Sequence, residues 1–308
     1  MALQIPARLK RGDKVVLLSP SGRARKKEHV YVIRDALQEL GLNVVNIEQN
    51  FDKNSKNSYF VGTGQQRANA LNKAFKDKDI KAIFCVRGGH GSLDVIDKLD
   101  YEMIRKNPTI FVGMSDITCF QAALLRKAGL ETYSGPVFIH FEGEERQFAI
   151  DNLRKILFDD EREIDLEVES VLTAVASSEA KGVLIGGNSA VMALTPESYW
   201  YTDEEIILLI EEVGGFRYAM DRILDSLKQA GRLDKVKAIV VGQNIYRSKE
   251  EGEDYPMSYE DILLDKFGHL NIPIVIGAKF GHDDYHLTLP IGRKVTLSLK
   301  EGEARFIL

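Results

Sequence analysis

Cysteine is nearly absent from this chain of 308 residues. There are two, Cys85 and Cys119, both inside apolar stretches and without partner spacing. That excludes a disulfide framework, and the pair reads as buried, reduced thiols of a cytoplasmic protein. No C-x-x-C or H-E-x-x-H pattern occurs, so no metal site is expected. No uncharged apolar run reaches the ~18 residues that a membrane-crossing helix needs. Residues Met1–Lys10 lack the apolar centre of a signal peptide. Basic residues do not outnumber acidic ones: Lys plus Arg number 41, Asp plus Glu 46, and the formal net charge is −5. Without a basic stripe, nucleic acid is not an expected partner, and neither is a membrane. The glycine motifs are incomplete as well. Gly62-Thr63-Gly64 lacks the third glycine of a dinucleotide fingerprint. Gly88, Gly89 and Gly91 suit an anion cradle, but P-loop spacing and its lysine are missing. No cofactor is expected.

The composition that remains, 44% hydrophobic and 28% charged, is that of a soluble globular protein whose length suits two domains. In the first half, apolar strands at 14–18, 42–47, 80–86 and 109–112 alternate with helical patterns near 27–40, 65–76 and 93–99. Continuous apolar strands alternating with helices predict a parallel sheet covered on both faces, with its functional loops at the carboxyl ends of the strands. Those loops are Ser19–Gly22, Arg87–Gly91 and Gly113–Asp116. A charged helix over 144–158 closes a first domain at residues 1–158, and an acidic, weakly periodic run marks a linker over 159–180. The second domain, 181–308, opens on a strand meeting Gly186-Gly187-Asn188 and includes the strand 205–212, which ends in two carboxylates. After Leu287 the tail alternates and turns like a β-hairpin.

Chemistry centres on Pro108–Thr118. Ile110-Phe111-Val112 runs into Gly113-Met114-Ser115, and helical spacing follows at Ile117, Phe120, Leu124 and Leu125. A strand that stops at Gly-x-Ser and becomes a helix is the geometry of a nucleophile elbow, with the helix N-terminus beneath the serine. The alternative is an ordinary turn in which Ser115 or Asp116 caps the helix. Gly-x-Ser-x-Gly is incomplete, because Ile117 stands at the second glycine, so this is not an α/β-hydrolase elbow. Of the six histidines, His29 falls on a charged helix and reads as solvated, while His269 follows a helix and suits its dipole. His282 follows a buried strand in a loop, where it is either a surface residue or a base. Glu211 and Glu212 close an Ile-Ile-Leu-Leu-Ile strand. A carboxylate buried there needs a donor, either a histidine N–H or a salt bridge to Arg217 or Arg222. Successive strand residues face opposite ways, so only one of the two glutamates can enter a site.

Arg87-Gly88-Gly89-His90-Gly91, Gly113-Met114-Ser115-Asp116-Ile117-Thr118, Gly135-Pro136, Gly186-Gly187-Asn188, Ile210-Glu211-Glu212 and Gly281-His282 with Leu289–Gly292 follow one another along the chain. In that order they resemble the LD-carboxypeptidases (muramoyltetrapeptide carboxypeptidases), a family that includes the microcin-immunity peptidases. The resemblance implies a cofactor-free cytoplasmic serine peptidase and a homodimer. It implies an α/β fold: an N-terminal parallel-sheet α/β domain carrying the serine, and a C-terminal mixed α/β domain with a partly β-barrel-like core. Carried over by motif, Ser115 is the nucleophile, His282 the base and Glu211 its orienting acid. The N–H groups of Asp116 and of Gly88-Gly89 form the oxyanion hole. Arg87 suits recognition of a substrate carboxylate, and His90 and Asn188 are further candidate substrate contacts. His90, Met114 and Leu194–Ser198 depart from the family pattern, which puts the choice of substrate at issue. The expected substrate is a small peptide or peptidyl conjugate. It is either a murein tetrapeptide that loses D-alanine or an aminoacyl-nucleotide conjugate, for which Tyr199-Trp200-Tyr201 offers a stacking surface. A non-catalytic wall-peptide binder is the third reading. The charged loop over 244–256 is a candidate cover for the site.

Overall fold

In the computed structural model, residues 2–45, 50, 59–159, 161–172, 179–200, 202–231, 233–245, 255–300 and 302–308 are described. The chain divides into two compact units, Met1–Glu161 with Asp284–Gly292, and Arg162–Asp283 with Arg293–Leu308.

The first unit holds β1 (Lys14–Leu18), β2 (Asn43–Val45), β3 (Ile80–Cys85), β4 (Ile110–Gly113) and β5 (Thr132–Ser134). Their order in the sheet is β5-β4-β3-β1-β2, all parallel. The crossovers are α1 (Glu28–Glu39), α2 (Gly64–Lys76), α3 (Leu93–Ile96), α4 (Tyr101–Lys106) and α5 (Ile117–Ala128), with α6 (Arg146–Leu157) closing the unit. α1 forms because Val30, Ile33, Ala36 and Leu37 recur at helical spacing and are buried against the sheet. Gly62-Thr63-Gly64 turns out to be the start of α2. Thr63 accepts from the Gln66 N–H while the Gln66 side chain accepts from the Thr63 N–H, a reciprocal capping box. His29 is not solvated: it is buried and stacks on Phe138 with ring centroids 4.0 Å apart. Burial holds its pKa below the ordinary 6.5, with Glu142 pulling the other way.

The second unit holds β6 (Glu163–Asp165), β7 (Ser170–Val171), β8 (Glu179–Asn188), α7 (Ser189–Leu194), β9 (Ile206–Val213), α8 (Arg217–Gln229), β10 (Val236–Ile245), α9 (Tyr259–Phe267) and β11 (Ile274–Gly281). β8, β9, β10 and β11 are parallel neighbours joined by the three helices. The stretch 159–180 contributes β6 and β7, which pair antiparallel with this sheet. The eight strands lie in one open order that runs from β6 to β7, and among the described residues no barrel closes.

The tail departs most from its expected hairpin. Leu289–Ile291 forms β12, which crosses to the first unit and pairs antiparallel with β5, so that sheet is mixed, not wholly parallel. The hairpin starts only afterwards, as β13 (Lys294–Lys300) and β14 (Glu303–Ile307) in the second sheet. Alternation marks a half-buried strand but carries no information about which sheet accepts it.

Candidate active site

Ser115 sits between β4 and α5 with φ +66°, one of three non-glycine residues in the left-handed region among the described residues. Such a conformation costs of order 1–3 kcal/mol and is held only where its surroundings over-determine it. Those surroundings are glycine-dependent. A Cβ on Gly113 would stand 2.9 Å from Cys85 Cβ and 3.0 Å from Ile117 Cγ2. A Cβ on Gly88 would stand 2.6 Å from Ser115 Cβ, 2.9 Å from Ser115 Oγ and 2.8 Å from the Asp116 nitrogen. Gly88 therefore packs directly against Ser115 and the Asp116 nitrogen, at the N-terminus of a twelve-residue helix. The N-cap of α5 is Asp116, whose side chain makes no capping bond to the helix.

The Asp116 carboxylate is spent elsewhere. It accepts from Ser21 Oγ at 2.6 Å, from the Ser92 N–H at 2.9 Å and from Ser92 Oγ at 2.8 Å, and it is buried. One side chain thus ties the loops after β1 and β3 to the turn after β4. Arg67 on α2 links the loops after β1 and β3: its guanidinium donates to Pro20 O at 2.5 Å, Gly91 O at 3.0 Å and Asp94 Oδ2 at 3.2 Å. Burial lowers its pKa despite Asp94 and Asp116 nearby. The sequence reading missed Ser21, Ser92 and Arg67. Ser21 lies in a strand-end loop that the pattern marks, but nothing in the pattern of α2 separates Arg67 from an exposed arginine.

In the second unit, Glu211 and His282 come together. Glu211 Oε2 lies 2.7 Å from His282 Nδ1, and the glutamate side chain is 2% exposed against 15% for the histidine. Its other oxygen is buried with no hydrogen-bond partner among the described residues. A carboxylate on Nδ1 fixes the ring tautomer, with the proton on Nδ1 and the lone pair on Nε2. One strand, β10, separates the pair in the sheet, and glycine lets them meet. Gly281 has φ +131°, and a Cβ there would stand 2.5 Å from Gln243 O on β10. Glu212 faces the other way. It accepts from Asn188 Nδ2 at 3.2 Å, Ser189 Oγ at 2.6 Å, the Ala190 N–H at 2.9 Å and the Val213 N–H at 2.9 Å. Neither glutamate uses Arg217, which donates to the carbonyls of Met257 and Tyr255.

Arg87 is half-buried over the Tyr59 ring at 5.8 Å, and His90 is exposed and stacks on Tyr59 at 4.6 Å. Asn188 is placed as the N-cap of α7: its Oδ1 accepts from the Val191 N–H while its Nδ2 holds Glu212. Tyr199 and Trp200 are buried, so they present no stacking face, and Tyr201 lies outside the described residues. Of the loop expected over 244–256, Asn244 and Ile245 belong to β10, while 246–254 lie outside the described residues. Burial pushes the Cys85 thiol well above its ordinary range, leaving it neutral behind the elbow. Among the described residues no group of three His, Cys, Asp or Glu is placed to hold a metal ion, and no helix is long and apolar enough to cross a membrane.

The chain matches the LD-carboxypeptidase N-terminal domain over residues 15–135 and the LD-carboxypeptidase C-terminal domain over residues 181–297. It is 30% identical to a probable murein peptide carboxypeptidase of Bacillus subtilis, over 97% of this chain and 93% of that protein. It is 28% identical to the microcin C7 self-immunity protein MccF of Escherichia coli, over 78% of this chain and 77% of that protein. Its fold superposes on an MccF-like protein from Bacillus anthracis with a TM-score of 0.84, 27% identity and 99% of each chain covered.

Proposed function

This chain belongs to the LD-carboxypeptidase family, the serine-type carboxypeptidase hydrolases, and from that premise we propose that it releases a terminal D-alanine from murein tetrapeptides. Ser115 Oγ attacks the carbonyl of the bond between the L-configured centre of the diamino acid and D-alanine. His282 Nε2 takes the serine proton, and Glu211 steadies the imidazolium that results. The negative charge of the tetrahedral intermediate falls on the N–H groups of Asp116 and of the Gly88-Gly89 turn. Each such donor is typically worth ~3 kcal/mol of transition-state stabilisation. Collapse breaks the C–N bond, His282 returns the proton to the leaving amine, and the peptide remains as an ester on Ser115. Water, deprotonated by His282, then frees the acid and restores the hydroxyl.

The observation that carries this reading is the left-handed backbone at Ser115, with Gly88 packed directly against it. A binding protein has no use for that strain. Ser115→Ala is expected to lower D-alanine release by roughly 10⁶-fold while circular dichroism and melting stay unchanged. Retained turnover would sink the assignment. The second reading, cleavage of an aminoacyl-nucleotide conjugate, draws on the resemblance to MccF. An assay pairing a tetrapeptide with an aminoacyl sulfamoyl-adenosine decides between them, since turnover of the second alone moves the protein to that reading. The homodimer and the cytoplasmic location implied by the family resemblance belong to the same proposal, and light scattering and cell fractionation test them.

A further inference from the structure

Two of the six histidines have no part in the proposed reaction, and both are buried in the first unit: His140 is 1% exposed and His286 0%. Their rings lie side by side, tilted by 48° with centroids 4.8 Å apart. An imidazole withdrawn from water is unfavourable unless its nitrogens are bonded, so the bonds show what the pair holds. His140 Nδ1 accepts from the Val137 N–H at 3.1 Å. The same turn is pinned where the Phe138 N–H donates to Val86 O at 3.4 Å, and Val86 stands two residues before Gly88. His286 Nε2 lies 3.3 Å from Ser134 Oγ. Ser134 pairs in register with Gly113, two residues before Ser115. The seat of His286 is thus framed by the backbones that carry the elbow and the glycine loop. His286 itself belongs to the crossing segment Asp284–Gly292. Tyr285 meets Phe148 of α6 edge-on at 5.1 Å, Leu287 and Thr288 are buried, and Leu289 pairs with Ser134. His282 lies four residues before His286. Four residues of chain span at most about 14 Å, so fixing His286 limits where His282 can stand.

We propose that His286 is a positioning residue: it docks the crossing segment against Ser134 and His140, and so holds His282 in register with the elbow. This rests on the reading of Ser115 as nucleophile and His282 as base. The first unit supplies the seat, and the chain itself carries the constraint to the base. Backbone pairing alone fixes the segment weakly. β12 has only three residues, and Pro290 at its centre donates no ladder bond. A slip of one residue moves the segment by about 3.3 Å, which carries His286 away from Ser134 Oγ and His282 away from its working place. A misplacement near 1 Å already costs about 10²-fold in rate. The imidazole bonded to Ser134 admits a single register.

The experiment measures hydrolysis of a murein tetrapeptide and, separately, the rate at which a fluorophosphonate labels Ser115, which needs an activated serine but no peptide recognition. His286→Phe keeps a buried ring and removes the bond. It is expected to lower kcat about 10- to 100-fold with KM changed less than about threefold, and to slow labelling by the same factor. His286→Gln, whose amide reaches the place of Nε2, is expected to stay within about threefold of the wild type in both. Ser134→Ala costs about three- to tenfold, and His286→Phe adds little in that background, as two ends of one contact do. Where His286→Phe does not fold, Ser134→Ala decides, since it removes a single oxygen. A lower melting temperature with unaltered kcat and labelling in the folded variants overturns the proposal, and so does a loss confined to KM. The proposed reaction fails separately. A wild type labelled at Ser115 in a His286-dependent way that releases no D-alanine loses its substrate and keeps the positioning role. A wild type that is neither labelled nor active loses both.

Discussion

The two units position their candidate residues by different means. In the first, the geometry lies in the backbone: a serine at φ +66°, glycines with no room for a Cβ, and an aspartate that holds loops together without facing a substrate. In the second it lies in side chains, with two neighbouring carboxylates sent to opposite faces of β9. The difference predicts how each half fails. Backbone geometry tolerates almost no added atom, whereas the paired side chains tolerate isosteric change unless the charge itself acts.

The sharpest break of that contrast is Glu211→Gln, which preserves shape and removes charge. It is expected to lower kcat roughly 10⁴-fold by releasing the His282 tautomer, with little change in melting temperature. Gly88→Ala comes next. The added methyl collides with Ser115 and the Asp116 nitrogen, and a displacement near 1 Å costs about 10²-fold in rate. Steady-state kinetics on the same peptide ranks the two. Glu212→Gln sharpens the comparison from the other side. Its carboxylate serves four donors around the start of α7, so the cost falls on stability, about 1–3 kcal/mol by urea denaturation, with a rate loss below about tenfold. A larger rate loss at Glu212 than at Glu211 reverses the strand-face assignment. The smallest effect concerns His29. Its folded pKa lies below its unfolded value. The stability from the neutral ring is therefore present above pH 6.5 and lost as pH falls through the folded value. His29→Phe keeps the stack on Phe138 without the titration, so its melting temperature is expected to fall less steeply with pH below 6.5.

Much of the first unit was legible in the chain because parallel strands and their helices advertise themselves by period. β1, β3, α1 and α2 lie within a residue or two of their expected positions. The place of Ser115 between β4 and α5 was legible for the same reason: the switch from strand to helix at Gly113 is abrupt. Strand-face parity says that Glu211 and Glu212 part company, but not which one meets His282. That choice rests on the crossing made at Gly281, a tertiary fact. The solvated reading of His29 fails because the charged residues of α1 lie on its outer face while His29 joins Val30 and Ile33 on the inner one. Arg67 was invisible because an arginine surrounded by carbonyls carries no periodic mark. The barrel-like core came from resemblance, and the strands themselves form an open sheet.

The three residues of β12 have a consequence for anyone who would divide this protein. The first unit borrows its last strand from a point more than a hundred residues beyond its main stretch. A fragment cut after Glu161 therefore keeps the elbow but leaves Thr132–Ser134 as a bare margin of the sheet, its peptide groups open to any strand that will pair with them. Such a fragment is expected to self-associate, and a peptide spanning Asp284–Gly292 supplied in trans to restore a monomer. The segment is, in effect, a built-in complementation tag.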